Sequence, residues 1–299
     1  MKNIVITSLA ADSLSLGPHW LYDDSEIQKH YPIGISQLDA PRSNYHPGKS
    51  EGDLTHYGDQ SLALLESLAN RQEWSANLWR TDWAAYWGSH PQSYQDGATK
   101  ATLANLKDGS KEPSDSSDIS AVSRMAPLLA YLWDAPLEER VAAARAQVSI
   151  THGYTIVADA AEFFTRSLDV IAGGADFETA FESSLKTGNG NTVLSDYFTA
   201  VKDAISKDTK KPYDLLGLSC SVHKAFPLTL WFALTFENEP TKMISENAIA
   251  GGDNSARAMI LGMLIAAQGK YNELPAEWSR ELNSKPRIDD ALAKLNLSQ

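Results

Sequence analysis

Two aspartates, far apart in the chain, each follow a glycine at the entry to an apolar helical pattern. Asp59 lies in GDLTHYGDQSLALL (Gly52–Leu65), and Asp253 in NAIAGGDNSARAMILGMLIAAQG (Asn247–Gly269). A carboxylate beside the free N–H groups of a first helical turn can hold a cation, position water, or simply cap the helix. Around these two stand further groups that could do chemistry. Ser255 offers a hydroxyl beside Asp253, and Arg257 offers a guanidinium suited to a bidentate phosphate contact or to a buried acid. His56 precedes Asp59 and could reach a ligand phosphate, or be a surface histidine. Asp12 could contact substrate or cap a turn. His152, in Thr151-His152-Gly153, could be a general base, a donor that orients a ligand, or a hydrogen-bonded structural residue.

The elements that must position these groups read as helices. Ala258–Ala267 is apolar or glycine throughout, so the helix behind Asp253 is expected to be buried on all sides. Ile4–Leu16 reads as a first helix rich in small residues, and Asp59–Asn70 as one with Leu62, Leu65 and Ala69 on a single face. Between them, Gly17–Thr55 is broken by Pro18, Pro32, Pro41 and Pro47, a loop long enough to suggest a functional role. Trp79, Trp83 and Trp87 form one stripe, read as core packing in preference to an aromatic platform. Asp108–Ser120 is polar and serine-rich and is expected to be a surface loop. Helical patterns continue over Val122–Trp133, Pro136–Ile150, Thr155–Ile171, Phe177–Lys186, Val193–Ile205, Val222–Phe236, Pro275–Leu282 and Ile288–Leu295. Alternating β-branched runs are scarce. The expected fold is all-α, one domain over residues 1–299, with the site carried by loops between helices.

Composition narrows the partners. A net charge of −12 without a lysine or arginine cluster argues against nucleic acid or an anionic membrane as the main partner. Asp12 interrupts the apolar N-terminal stretch before it could serve as a signal peptide, and no apolar run reaches the ~20 residues of a membrane span. Cys220 is the single cysteine, which fits a reducing compartment, and the expected location is the cytoplasm.

Several of these stretches, in order, resemble the ADP-ribosylglycohydrolase family, an all-helical fold that also contains J-type lens crystallins. Ala10-Ala11-Asp12-Ser13-Leu14 is similar to the family's Gly-Asp-Ala-Leu opening. Ser123-Arg124-Met125-Ala126-Pro127-Leu128 and Thr151-His152-Gly153 are similar to mid-chain motifs, and Tyr271–Trp278 to the ending Ile-Pro-x-x-Trp. The resemblance implies an orthogonal helical bundle and hydrolysis of a ribosyl bond in an ADP-ribosylated protein or an ADP-ribose-like small molecule. It also implies two Mg²⁺ ions, held by a Thr-Asp-Asp motif and a Gly-Gly-Asp-x-Asp-Thr motif. Here the first motif reads Tyr57-Gly58-Asp59 and the second Gly251-Gly252-Asp253-Asn254-Ser255-Ala256. These forms are closer to the crystallin branch.

Halving the acids has a calculable consequence. Two +2 ions ~4 Å apart repel by roughly 16 kcal/mol at an effective dielectric near 20, and two aspartates in place of four leave much of that unneutralised. A two-metal site is therefore not expected; at most one weakly held Mg²⁺ would use Asp59, Asp253 and the Ser255 hydroxyl. The expected catalytic residues are Asp59 and Asp253, with Asp12, His56, His152 and Arg257 binding substrate. The competing expectation is a ligand-binding or structural, crystallin-like protein that has lost the metal centre.

Overall fold

The computed structural model describes residues 1–188 and 191–297. Every regular element among them is helical, and the only β contacts are three isolated bridges. One apolar core runs from Ile4 to Leu295, and no described helix is long and apolar enough to cross a membrane.

At the centre lies the helix Asn254–Ala267, buried from Asn254 to Ala266, which packs along the first helix, Lys2–Leu16. The close crossing explains the glycine inside an otherwise apolar helix. A Cβ on Gly262 would sit 2.7 Å from Thr7 O and 2.9 Å from Ser8 Cα, so only glycine lets the two backbones approach. Small residues on the first helix (Thr7, Ser8, Ala10, Ala11) supply the other half of that fit, and all four are buried. This crossing sets Asp12 of one helix against Ser255 of the other.

Three expectations shift. The helix carrying Asp59 begins at His56, so Thr55 is its N-cap, accepting from Tyr57 N at 3.1 Å, and Asp59 lies inside the first turn. The long Gly17–Thr55 segment contains a short helix, Asp24–His30, started by Asp23 accepting from Ser25 N at 2.7 Å. Only Ile27 of that helix is buried, too weak a periodic signal to read from sequence. The serine-rich stretch 108–120 is not all surface: Ser114, Asp118 and Ile119 are buried, pinned where Ile119 N donates to Cys220 O at 2.9 Å. Its polar character comes from local Asx- and Ser-type turns, such as Ser120 N to Asp118 Oδ1 at 2.8 Å. Trp79, Trp83 and Trp87 are all buried, with Trp83 Nε1 donating to Gln60 Oε1 at 2.8 Å.

Candidate functional site

Asp12, Thr55 and Ser255 meet where three helices converge. The Asp12 carboxylate accepts from Thr55 N at 2.7 Å, from Thr55 Oγ1 at 2.6 Å, and from Ser255 Oγ in a short contact. Thr55 Oγ1 and Ser255 Oγ lie 3.1 Å apart, so the three side chains close a buried knot. Burial pushes the Asp12 carboxyl up, offset by the hydrogen bonds from Ser255 and Thr55. Asp12 also fills the space beside Gly58: a Cβ there would sit 2.1 Å from Asp12 Oδ2.

Asp59, next along, binds Lys49 Nζ at 2.5 Å through Oδ2. Burial raises the Asp59 carboxyl and the Lys49 charge offsets that rise. An ammonium thus stands against the carboxylate.

Asp253 occupies the N-cap position of the central helix, yet its side chain makes no capping bond. Oδ1 instead accepts from Trp20 Nε1 at 3.3 Å, while Oδ2 is buried without a hydrogen-bond partner of good geometry, beside the Tyr57 hydroxyl. The Gly251-Gly252 turn aims it. Both glycines have positive φ, +70° and +59°, and a Cβ on either would collide with a backbone carbonyl, of Leu21 or Leu218, at 2.4 or 2.5 Å. Gly252 N donates to Leu21 O at 2.6 Å, and Trp20 N to Gly252 O at 2.9 Å, which clamps the turn against the segment bearing Trp20. Beneath it, Arg257 donates from Nε to Asn247 Oδ1 and from Nη2 to Gly251 O, both at 2.8 Å, and is fully buried. Burial pulls Arg257 down to about 10 against the attraction of Asp253.

A second acid stands beside Asp253 that sequence reasoning left on the surface: Asp118. The loop between Gly217 and Ser221 joins them, since Asp253 N donates to Leu218 O at 3.0 Å and Ile119 N to Cys220 O at 2.9 Å. Burial and the Asp253 charge together push the Asp118 carboxyl well above the ordinary range. Burial raises Asp253 to about 6, against the pull of Arg257, His56, Tyr57 and Trp20. Half-buried Trp20 donates to Asp253, and exposed Tyr22 and half-buried Cys220 stand close enough to feel the charge of both acids.

His56 is buried, not superficial. Its Nδ1 lies 3.0 Å from His46 Nε2 and its Nε2 lies 3.5 Å from Asp96 Oδ2. Burial would raise Asp96, but His56, Arg124 and the Thr99 N–H hold it well below the ordinary range. His152 belongs to a separate polar layer. Its Nδ1 lies 2.9 Å from Thr151 Oγ1, which accepts from Arg124 Nη2 at 3.1 Å, and burial brings it down to about 3. The layer continues through Arg124 to Gln60 and Trp83.

The sequence profile of the ADP-ribosylglycohydrolase family matches residues 2–299. The chain belongs to the ADP-ribosylglycohydrolase family. Among solved structures, it is similar to one titled "ADP-ribosylglycohydrolase-related protein complex", at a TM-score of 0.74 over 100% of this chain and 97% of that one, with 17% identity. At that identity the likeness speaks for the fold. No curated protein matches the chain closely enough in sequence to count as a relative.

Against that family background, the residues at the metal-motif positions do not fit a Mg²⁺ pair. Gly58 offers no ligand, and its Cβ space is taken by Asp12; Ala256 offers none either. The Ser255 hydroxyl is spent on Asp12, and Asp59 already has a cation in Lys49. Among the residues at these motif positions, Asp253 keeps a buried oxygen without a hydrogen-bond partner. Sequence reading missed Lys49, His19, His46, Asp96 and Asp118 as members of this region. The long Gly17–Thr55 segment was the one signal for the first three, because it carries them all.

Proposed function

We propose that this ADP-ribosylglycohydrolase-family chain hydrolyses a ribosyl glycosidic bond without a paired metal centre, using Asp118 and Asp253. The supporting observation is the carboxyl pair itself: two buried acids, both raised by burial, with the Asp253 charge raising Asp118 further and Trp20 and Tyr22 beside them. Neighbouring acids whose environments hold them at different protonation levels divide into general acid and general base. Asp118, held well above the ordinary range, keeps its proton at neutral pH and gives it to the leaving group as the C1″ bond breaks. Asp253, ionised above about 6, takes a proton from the water whose oxygen bonds to C1″. The product is a free ribose hydroxyl and the protonated leaving group, and one proton then passes from Asp253 back to Asp118. Asp59 was expected in this second-acid role; its pairing with Lys49 makes it a positioning residue for the helix start. The aromatic rings of Trp20, Tyr45 and Tyr94, mutually edge-on at 4.8 to 5.9 Å, offer faces on which a purine could stack.

The test is release of ADP-ribose from ADP-ribosylated arginine and serine peptides, with EDTA present. Release that survives EDTA and disappears in Asp253→Asn supports this reading. No release from either peptide under any metal condition overturns it for those substrates. A non-catalytic binding role is the second reading, favoured by one observation, the Lys49 ammonium seated against Asp59. Under that reading ADP-ribose binds and nothing is turned over.

A further inference from the structure

Three histidines, His19 and His46 from the Gly17–Thr55 segment and His56 from the helix start that follows it, are all buried, and one ring nitrogen from each lies within 4.8 Å of the other two. We propose that they form a site for one divalent cation of the Zn²⁺ class, built on residues other than the acid pair. The hydrogen bonds around the rings fix their lone pairs. Asn254 donates from Nδ2 to Ser15 O at 3.2 Å and to Ala248 O at 2.8 Å, so its Oδ1 must face His19 as an acceptor. His19 Nδ1, 2.8 Å away, is therefore the N–H, and His19 Nε2 carries a lone pair, buried and without a partner. His56 Nε2 lies 3.5 Å from Asp96 Oδ2 and its Nδ1 lies 3.0 Å from His46 Nε2, so the ring with its proton on Nε2 presents an Nδ1 lone pair to His46. His19 thus has one nitrogen tied to an oxygen acceptor and the other open, while His56 has one nitrogen 3.5 Å from a carboxylate oxygen and the other turned to His46. That is how metal-binding imidazoles are commonly oriented.

His46 supplies the third donor. Its Nε2 lies 3.0 Å from His56 Nδ1, a separation that serves a hydrogen bond or two ligands on one ion. With Zn–N near 2.0–2.1 Å, a triangle of this size closes on a cation after each ring moves inward by about half an ångström. Binding then moves the His46 proton from Nε2 to its other nitrogen, Nδ1, which is buried without a partner. Three neutral imidazoles select Zn²⁺, Co²⁺, Ni²⁺ or Cu²⁺ over Mg²⁺. The ionised Asp96 nearby offsets part of the ion's charge.

The full-length protein, stripped with chelator and loaded with Co²⁺, tests the site through its visible spectrum and by metal analysis after gel filtration. One Co²⁺ per chain, ligand-field bands without a thiolate charge-transfer band, and displacement by Zn²⁺ but not by excess Mg²⁺ are expected. His46→Gln should weaken binding at least about tenfold, as should the supporting change Asn254→Ala. The surface change His90→Gln should leave binding unaltered. Circular dichroism confirms that each variant is folded. Should either fail to fold, the wild-type spectrum decides. No stoichiometric Co²⁺, a thiolate band assigning the ion to Cys220, or equal binding in folded His46→Gln would overturn the proposal.

Discussion

Lys49 sets its ammonium 2.5 Å from Asp59 Oδ2, in the position where relatives of this fold are expected to present the carboxylate to a metal ion. The lysine comes from the Gly17–Thr55 segment and the aspartate from the first turn of the helix His56–Arg71. Both side chains are largely covered, at 22% and 17% exposure, so each would be costly to leave unpaired. Lys49→Ala should therefore lower stability by about 1–3 kcal/mol at neutral pH. The loss should shrink as pH falls and Asp59 takes up a proton. Urea unfolding at pH 7.5 and pH 4.5 measures both values; an equal loss at the two would mean that the pair is not electrostatic.

Restoring the family's acid at position 58 should not restore its metal site. A Cβ on Gly58 would meet Asp12 Oδ2 at 2.1 Å and Leu54 Cβ at 2.9 Å, and Asp12 is held by three hydrogen bonds. Gly58→Ala should cost about 1–3 kcal/mol by overpacking, and Gly58→Asp more, since it adds a second carboxylate to the same space. Thermal unfolding of the two variants reads this directly. If Gly58→Asp folds with wild-type stability, Asp12 is less firmly seated than its contacts imply.

Calorimetric titration of the wild-type chain with Mg²⁺ should show binding that is weak, at one ion per chain or below. Asp59 is already matched by Lys49, and Asp12 by Thr55 and Ser255, which leaves one Asp253 oxygen for at most one ion. Tight binding of two ions would show that these contacts open readily and would restore the two-metal reading.

The helices were legible because their signals are local. Ala258–Ala267 is apolar on every side, and the Trp79, Trp83 and Trp87 stripe has helical spacing, so burial followed from pattern. The family motifs fixed the neighbourhood of Asp59 and Asp253 in the same way. What surrounds those two acids was not legible. His19, His46 and His56 have no ligand spacing in the sequence and meet only because the Gly17–Thr55 segment folds back over the helix start. Asp118 hid in a serine-rich stretch whose composition reads as surface. Its burial comes from a pairing with the loop near Cys220, over a hundred residues on. Asp253 shows the limit of position alone. It stands at an N-cap, as its sequence context predicts, while its carboxylate turns to Trp20.

If Asp118 and Asp253 act as acid and base, the rate should rise with pH through about 6, where Asp253 gains its charge. It should fall again at higher pH, when the Asp118 proton is lost. Because the two acids interact, the limbs belong to the pair. Asp118→Asn removes the acid and should flatten the alkaline limb while lowering the maximum rate, about 10²–10⁴-fold for a lost proton donor. An unchanged alkaline limb in that variant would assign the acid to another group.

The last prediction separates a capping role for Asp253 from a charged one. A lost cap costs about 0.5–2 kcal/mol at any pH where the cap forms. A buried carboxyl raised in the folded state behaves otherwise. Between its unfolded value near 3.8 and its folded value of about 6, the native state binds more protons than the unfolded state, so stability falls as pH rises through this window. Two units correspond to about 3 kcal/mol of stability present at pH 4 and absent at pH 7.5. Asp118, raised in the same direction, adds to the slope. Asp253→Asn keeps the shape and removes the charge. The variant should match wild type near pH 4 and exceed it near pH 7.5 by up to about 3 kcal/mol. Denaturant melts at the two pH values decide: a variant less stable at both would mean that the carboxylate caps the helix after all.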